Sequence, residues 1–192
     1  MKWNSRGDRL LFVVRYLTDT GEKYPMVVTL VPDGSDIRIA VPPHVWALGG
    51  NHPSWCPDGD NIIMNLNYHG KGLSFYQVLY DGSNFTLMTD IKATKGHPSL
   101  HPSGRYILTD EYPFEEGAAD DGTSRILLID RKKKKQYDII RINASPTYIG
   151  KNKELRLDLH PSWDRQYQYI IFNAIYDNTR KVFVADLSSL LD

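Results

Sequence analysis

The chain carries one cysteine, Cys56, so an intrachain disulfide is excluded and its fold must rest on burial and hydrogen bonding alone. A lone thiol suits a reducing compartment without demanding one, which leaves cytoplasmic and periplasmic settings both open. No apolar run approaches the roughly 20 residues of a membrane span, and the opening Met1-Lys-Trp-Asn-Ser-Arg-Gly7 lacks the apolar stretch of a signal peptide. No membrane partner and no signal peptide are therefore expected, in a chain that is either cytoplasmic or a piece of something longer. An excess of one charge is missing too. With 23 Lys and Arg against 23 Asp and Glu in 192 residues, no overall field attracts nucleic acid, and no nucleic-acid partner is expected. Sustained helical periodicity is also absent, segment 187–192 being one turn at most, so the chain reads as all-β.

What the sequence does contain is a repeat. His-Pro-Ser-Trp stands at 52–55 and 160–163, and His-Pro-Ser-Leu at 97–100. Alignment on Trp55, Leu100 and Trp163 brings out a fourth copy at Trp3. Four residues after this anchor comes a glycine in three copies (Gly7, Gly59, Gly104) and Tyr167 in the last. An apolar run follows each: Leu10–Val14, Ile62–Met64, Tyr106–Leu108 and Tyr169–Phe172. A second strand then ends in a polar turn, at Pro32-Asp-Gly34, Asp81-Gly82, Arg131–Lys135 and Leu187-Ser-Ser189. Asp-Gly after a β-branched run signals a hairpin because glycine accepts the positive φ that tight turns require. The basic run 131–135 occupies the same slot and reads as a solvated hairpin tip rather than an anion-binding patch.

Anchors spaced 52, 45 and 63 residues apart predict a β-propeller of four blade-like repeats, with blades near 1–48, 49–93, 94–141 and 158–192. They form one propeller domain, or part of a seven- or eight-bladed ring. An open ring exposes edge strands and apolar blade faces, so a homo-oligomer or missing N-terminal blades is expected. Two longer connections interrupt the repeats. The acidic stretch 115–122 lacks the alternate carboxylates of a calcium loop and reads as a surface loop. Residues 142–157 are an insertion of the kind that lies over one face.

Repeat phase turns spacing into geometry. His52, His97 and His160 each stand three residues before the anchor, at equivalent places on three blades. If that segment is the innermost strand, they converge on one channel. Three imidazoles about one axis make a site for a divalent transition-metal ion, completed by water or a carboxylate, with Asp158 preferred over Asp110. Asp158 lies two residues before His160 and shares its face if the segment is extended. The alternative stays open that His-Pro-Ser only starts a strand, its imidazole hydrogen-bonded to nearby backbone. His101 belongs to the turn and is expected to be exposed; His44 and His69 have no counterpart in other repeats.

The segments Gly96-His-Pro-Ser-Leu-His-Pro-Ser-Gly-Arg-Tyr-Ile-Leu-Thr-Asp-Glu-Tyr-Pro113, Arg156-Leu-Asp-Leu-His-Pro-Ser-Trp163 and Arg180-Lys-Val-Phe-Val-Ala-Asp-Leu187 resemble the C-terminal half of the oligogalacturonate lyase-like propellers. These sit within the TolB-type group, whose Trp-Ser-Pro-Asp-Gly turn is echoed at Trp55-Cys-Pro-Asp-Gly59. The resemblance implies a manganese-type ion held by histidines and metal-assisted β-elimination on uronate oligosaccharides. His52 then corresponds to the catalytic histidine, and His97 and His160 to metal ligands. Where the family has a further histidine and a glutamine, this chain has Ser162 and Leu157. No arginine stands near Met26, the family's place for a catalytic one, so Arg15 becomes the catalytic candidate and Arg156 a substrate-binding one. Tyr112 and Trp46, with Tyr68 and Tyr148, are candidates to stack on sugar rings or to pack between blades.

The implied chemistry is coherent. A uronate carboxylate must be neutralised, by a cation or an arginine, before a base can remove the C5 proton. The expected function is a carbohydrate-active, lyase-like propeller. The alternative is a non-catalytic propeller that binds a protein or glycan ligand through its channel face.

Overall fold

The residue after each anchor closes a turn that recurs four times. In the computed structural model, which describes residues 1–112, 121–151 and 154–191, Gly7 N–H donates to the Asn4 carbonyl at 3.1 Å, Gly59 to Cys56 at 3.0 Å, Gly104 to His101 at 2.9 Å and Tyr167 to Asp164 at 3.2 Å. The N–H groups of Asn4, Cys56, His101 and Asp164 in turn reach the carbonyls of Arg9, Asn61, Tyr106 and Tyr169, where the next strand begins. Backbone at the fourth position is left-handed throughout, with φ of 72° at Gly7, 75° at Gly59, 69° at Gly104 and 58° at Tyr167. Glycine adopts this conformation without steric cost, whereas Tyr167 does so against its own Cβ.

These turns organise two compact units, Met1–Ala93 and Thr94–Asp192, each built of two sheets of consecutive antiparallel strands. The first sheet holds β1 (Lys2–Trp3), β2 (Leu10–Leu17), β3 (Lys23–Leu30) and β4 (Ile37–Val41). A one-turn helix, α1 (Pro43–Trp46), leads to the second, with β5 (Gly50–Trp55), β6 (Asn61–Leu66), β7 (Ser74–Leu79) and β8 (Thr86–Lys92). In the other unit the third sheet holds β9 (Ser99–Leu100), β10 (Tyr106–Asp110), β11 (Thr123–Asp130) and β12 (Lys135–Asn143). The fourth has three strands, β13 (Ser162–Trp163), β14 (Tyr169–Tyr176) and β15 (Thr179–Asp186), before a short 3-10 turn at Ser188–Leu190. This is an all-β propeller architecture of four blade-like repeats. Among the described residues no helix is long and apolar enough to cross a membrane.

The hairpin tips fall where the polar turns stand. Gly34 N–H closes on Val31 at 2.8 Å and Gly82 on Leu79 at 2.9 Å, while the basic run links Asp130 to Lys135, with Lys133 N–H on Asp130 Oδ1 at 2.9 Å. Helix α1 has no periodic signature; it is nucleated by Pro43, whose fixed φ suits a first helical turn. Of the acidic stretch 115–122, residues 115–120 lie outside the described residues.

Within each unit the sheets stack face to face. Leu11, Val27, Ala40 and Val41 of the first sheet pack with Ile62, Met64, Leu66, Tyr76 and Val78 of the second, alongside Val45 and Trp46 of α1. Leu108 and Ile126 of the third pack with Ile170, Phe172, Ala174 and Ile175 of the fourth. Polar ties repeat with the register. Asn4 Nδ2 donates to the Gly59 carbonyl at 3.0 Å, and at the equivalent place His101 Nε2 donates to the Tyr167 carbonyl at 3.2 Å. Trp55 Nε1 donates to the Lys2 carbonyl at 3.0 Å, and Lys2 Nζ to the Pro53 carbonyl at 2.8 Å.

Candidate functional site

Asp110 ends β10 in a stretch of five buried residues, and its own side chain is wholly inaccessible. A buried carboxylate is tolerated only when its oxygens are engaged. Oδ1 accepts the His97 backbone N–H at 2.6 Å and faces His97 Nδ1 at 3.0 Å, while Oδ2 accepts the His160 backbone N–H at 2.8 Å. Burial pushes the carboxyl pKa up, but the His97 side chain and the two backbone N–H groups outweigh it and hold the group below the ordinary carboxylate range. With Asp110 ionised, His97 Nδ1 carries a proton toward it, and a neutral His97 then keeps its lone pair at Nε2.

The loop feeding this pair is shaped for close approach. Thr94 Oγ1 donates to the Asp110 carbonyl at 2.7 Å and accepts the Gly96 N–H at 3.2 Å. A Cβ at position 96 would overlap the Asp110 carbonyl, so only glycine fits there. His97 is buried, whereas His160 is exposed, and their rings stack with centroids 3.8 Å apart and planes 15° apart. His160 precedes a proline with φ of 48°, as His52 does with φ of 50°. This conformation is costly for a side-chain-bearing residue, and such residues cluster at functional positions.

Around the histidines stand three further groups. Tyr112 meets His97 edge-on at 5.8 Å, the Arg156 guanidinium lies 5.1 Å from the Tyr112 ring centre, and Arg156 Nε pairs with Asp158 Oδ1 at 3.0 Å. Burial, with the Asp158 charge second, pushes the Tyr112 phenol up to about 12, against the opposing pull of Arg156. The cluster thus combines an oriented imidazole, a second imidazole, a neutral phenol and a guanidinium.

The residues of this cluster do not fit a metal-ligand set as arranged. Rings stacked 3.8 Å apart and within 15° of parallel keep their in-plane nitrogen lone pairs in near-parallel planes, which do not converge on one ion about 2.0–2.1 Å from each. Asp110 is taken up by His97 and His160, and Asp158 by Arg156. Among the described residues no three His, Cys, Asp or Glu side chains gather as a cation site. Asp158 does not follow His160 onto a strand face because the backbone turns left-handed at His160 instead of running extended.

Of the other candidates, His52, Arg15, Trp46 and Tyr68 lie in the first unit, Tyr148 and His101 in the second. His52 occupies the irregular stretch between Asn51 and Ser54 of β5. Arg15 is exposed on β2 opposite Pro25. Trp46 is a core residue, 9% exposed, with Nε1 donating to the Gly50 carbonyl at 2.9 Å. Tyr68 stacks on Phe85 with centroids 4.8 Å apart, and Tyr148 is 39% exposed. His101, expected to be exposed, is half-buried, because its ring bridges to Tyr167. The residue underrated by sequence was Asp110, ranked behind Asp158. A signal for it exists: Asn65, Asp110 and Asn173 each stand thirteen residues after a phased histidine.

No family model matches this sequence, and no curated protein does. Solved structures do match. TolB from Acinetobacter baumannii superposes with a TM-score of 0.67 at 17% identity, over 94% of this chain and 39% of that one. Oligogalacturonate lyase from Vibrio parahaemolyticus gives 0.59 at 13%, over 93% and 46%, and the putative TolB from Agrobacterium tumefaciens gives 0.52 at 19%, over 73% and 48%. At these identities the likeness establishes the fold, a β-propeller of the kind found in TolB and oligogalacturonate lyase. The chain spans less than half the length of each of these proteins.

Proposed function

We propose that this chain is a carbohydrate-active propeller resembling oligogalacturonate lyase, which takes the carboxylate of a uronate-containing oligosaccharide at the cluster around His97. The observation that carries the reading is the Asp110–His97 pair beside Arg156. Asp110 fixes the ring and directs basicity to Nε2, the arrangement that makes an imidazole an effective proton acceptor. Arg156 is exposed, and with its Nε on Asp158 its terminal N–H groups suit a planar carboxylate. The Tyr112 ring packs against the guanidinium and stays a neutral phenol, an aromatic face suited to a sugar ring.

In an elimination at this site, His97 Nε2 takes the C5 proton while Arg156 neutralises the uronate carboxylate. The electrons form the C4–C5 double bond, the C4–O bond breaks, the departing sugar oxygen takes a proton from solvent water, and His97 later returns its proton to solvent. No step is assigned to a metal ion, because the residues as placed do not form a ligand set. The second reading, binding without chemistry, is favoured by the His160 ring, which covers one face of His97. Calorimetric titration of trigalacturonate separates the possibilities, with absorbance of the unsaturated uronate product followed in parallel. Binding that is weakened at least tenfold in Arg156→Gln supports the site, and product formation lost in His97→Gln supports elimination. Binding without product selects the second reading. Absence of binding in the wild-type chain overturns both.

A further inference from the structure

The repeat register defines which face each sheet offers to its neighbours. Arg9, Asn61, Tyr106 and Tyr169 are equivalent, since each accepts the N–H that crosses the anchor turn. Counting from them, Ile62 and Met64 of the second sheet match Ile170 and Phe172 of the fourth, and both pairs pack onto the preceding sheet in their unit. Leu11 of the first sheet likewise matches Leu108 of the third, and both face the following sheet. Each sheet therefore has an incoming face on one strand register and an outgoing face on the alternate one.

On two of these faces, one in each unit, apolar residues are exposed. The first sheet's incoming register is Leu10, Phe12, Val14 and Tyr16, with Leu30, Val28, Met26 and Tyr24 directly across in β3, and Ile37 and Ile39 across in β4. Every one of these residues is apolar or aromatic, yet Val14 is 40% exposed, Tyr16 46%, Ile37 62% and Ile39 49%. The fourth sheet's outgoing register carries Tyr169 opposite Asp186, Ile171 opposite Val184 and Asn173 opposite Val182, with Ile171, Val184 and Val182 at 42%, 65% and 67% exposure. Ile171 is the equivalent of Leu11, which is 2% exposed where its face is covered. Exposed apolar clusters of this kind, rimmed by polar residues such as Asp186 and Asn173, mark interaction sites.

We infer that a second copy of this chain covers both faces, the Ile171–Val184 face of one copy seating on the Phe12–Val28–Ile39 face of the other. The pairing is the one the repeat already uses inside each unit, where an Ile171-type face meets a Phe12-type face. Both halves of the contact belong to the same sequence, so a second copy supplies each with its complement. The polar tie is in place as well. Trp3, 51% exposed, is equivalent to Trp55, whose indole reaches the Lys2 carbonyl of the preceding sheet. The matching carbonyl in the other copy is that of Ser162. Trp163 does not make this bond in its own unit, so the apolar faces carry the argument. Three strands spaced about 4.8 Å apart and about 25 Å long outline roughly 350 Å². Two such contacts place roughly 700 Å² per copy in the interface, near the ~800 Å² per partner of a stable complex. A contact between two different faces is heterologous and gives a closed pair only if the rotation closes, so the mass in solution is informative.

Light scattering on the eluting wild-type chain is expected to give twice the chain mass. Ile39→Lys and Val184→Lys, both at exposed positions, are each expected to reduce it to the single-chain mass with an unchanged thermal melt of the monomeric fold. Mixing the two variants restores a two-chain species, because one copy's intact outgoing face still meets the other's intact incoming face. A single-chain mass for wild type at all concentrations overturns the inference. So does a dimer that only one of the two substitutions disrupts, which is the mark of like faces pairing with like.

Discussion

Asp110 accepts the backbone N–H of His160 at 2.8 Å, a residue of the next repeat, while its other oxygen holds the N–H of His97 at 2.6 Å. One buried carboxylate thereby fixes the strand entries of two repeats and the ring of His97. Asn at this position keeps the size but offers one acceptor and one donor, so its amide N–H group meets a backbone N–H head-on. Asp110→Asn is expected to cost about 3 kcal/mol, the range for a buried charged hydrogen-bond acceptor lost with its donors left behind. Urea unfolding measures it. A cost within about 0.5 kcal/mol of wild type would show that the carboxylate is not the organising group.

Acid sensitivity follows from the paired carboxylates. Asp130 receives Arg105 Nη2 at 2.7 Å and its Nε at 3.1 Å, and these bonds hold its pKa at about 2. A carboxyl depressed in the folded state contributes stability that is present above its unfolded pKa of about 3.9 and is lost as pH falls through the folded value. Asp130 should therefore account for about 2 kcal/mol that disappears between about pH 4 and pH 2. Asp110, lowered in the same direction, adds to the loss over the acid range. The urea midpoint of Asp130→Asn, followed against pH, is expected to be lower than wild type at pH 6 and to converge with it near pH 2. Parallel curves would rule out the Asp130–Arg105 pair as the source.

The repeat, its turns and its hairpin tips were legible because each is set by local chemistry: Gly7, Gly59 and Gly104 sit where φ must be positive, and Gly34 and Gly82 close tight hairpins. Of the three phased histidines, His97 and His160 stack on each other in the second unit. The companions of those histidines were less legible. Asp158 shares the face of His160 only if the segment is extended, a condition the strand-free stretch 156–161 and the left-handed backbone at His160 do not meet. Asp110 is the weaker candidate in the sequence because it ends an apolar strand, where a carboxylate has no visible partner until the loop at 94–97 folds back on it. Of the two roles open to Trp46, sugar stacking or packing between blades, the structure shows packing, on a one-turn helix that leaves no periodic trace in the sequence. Local conformations such as the glycine turns are set by the residue itself, whereas the companions of His97 and His160 depend on contacts made only by tertiary folding.

Two glycines separate backbone conformation from backbone crowding. Gly7 has a φ of 72° with nothing within 4 Å of an added Cβ, so Gly7→Ala costs only the left-handed penalty, about 1–2 kcal/mol. At Gly96 the added atom meets the Asp110 carbonyl, a backbone group that cannot swing aside. Gly96→Ala is expected to cost more than Gly7→Ala and to displace the His97 ring, seen as a shift of its imidazole resonances. Equal costs, or unshifted His97 signals, would contradict the close approach described for this loop.

His101 and Asn4 hold the same place in their repeats and make the same tie, to the carbonyls of Tyr167 and Gly59. Only the histidine titrates. Ser103 N–H donates to His101 Nδ1 at 3.2 Å, which leaves the ring proton on Nε2 for Tyr167. A second proton would set Nδ1–H against that N–H. Burial lowers the His101 pKa, and the bond to the Tyr167 carbonyl opposes this only in part. Because the folded pKa lies below the unfolded value of about 6.5, the folded state binds fewer protons, and stability falls as pH drops through 6.5 toward the folded pKa. His101→Asn, which copies Asn4, keeps a donor for Tyr167 and should flatten this part of the stability–pH curve while changing stability at pH 8 by less than about 1 kcal/mol. Two measurements check this: an NMR titration of the His101 ring, expected below 6.5, and urea unfolding of both proteins between pH 5 and 8. A ring that titrates at or above 6.5, or a variant with the wild-type slope, would remove His101 as the source.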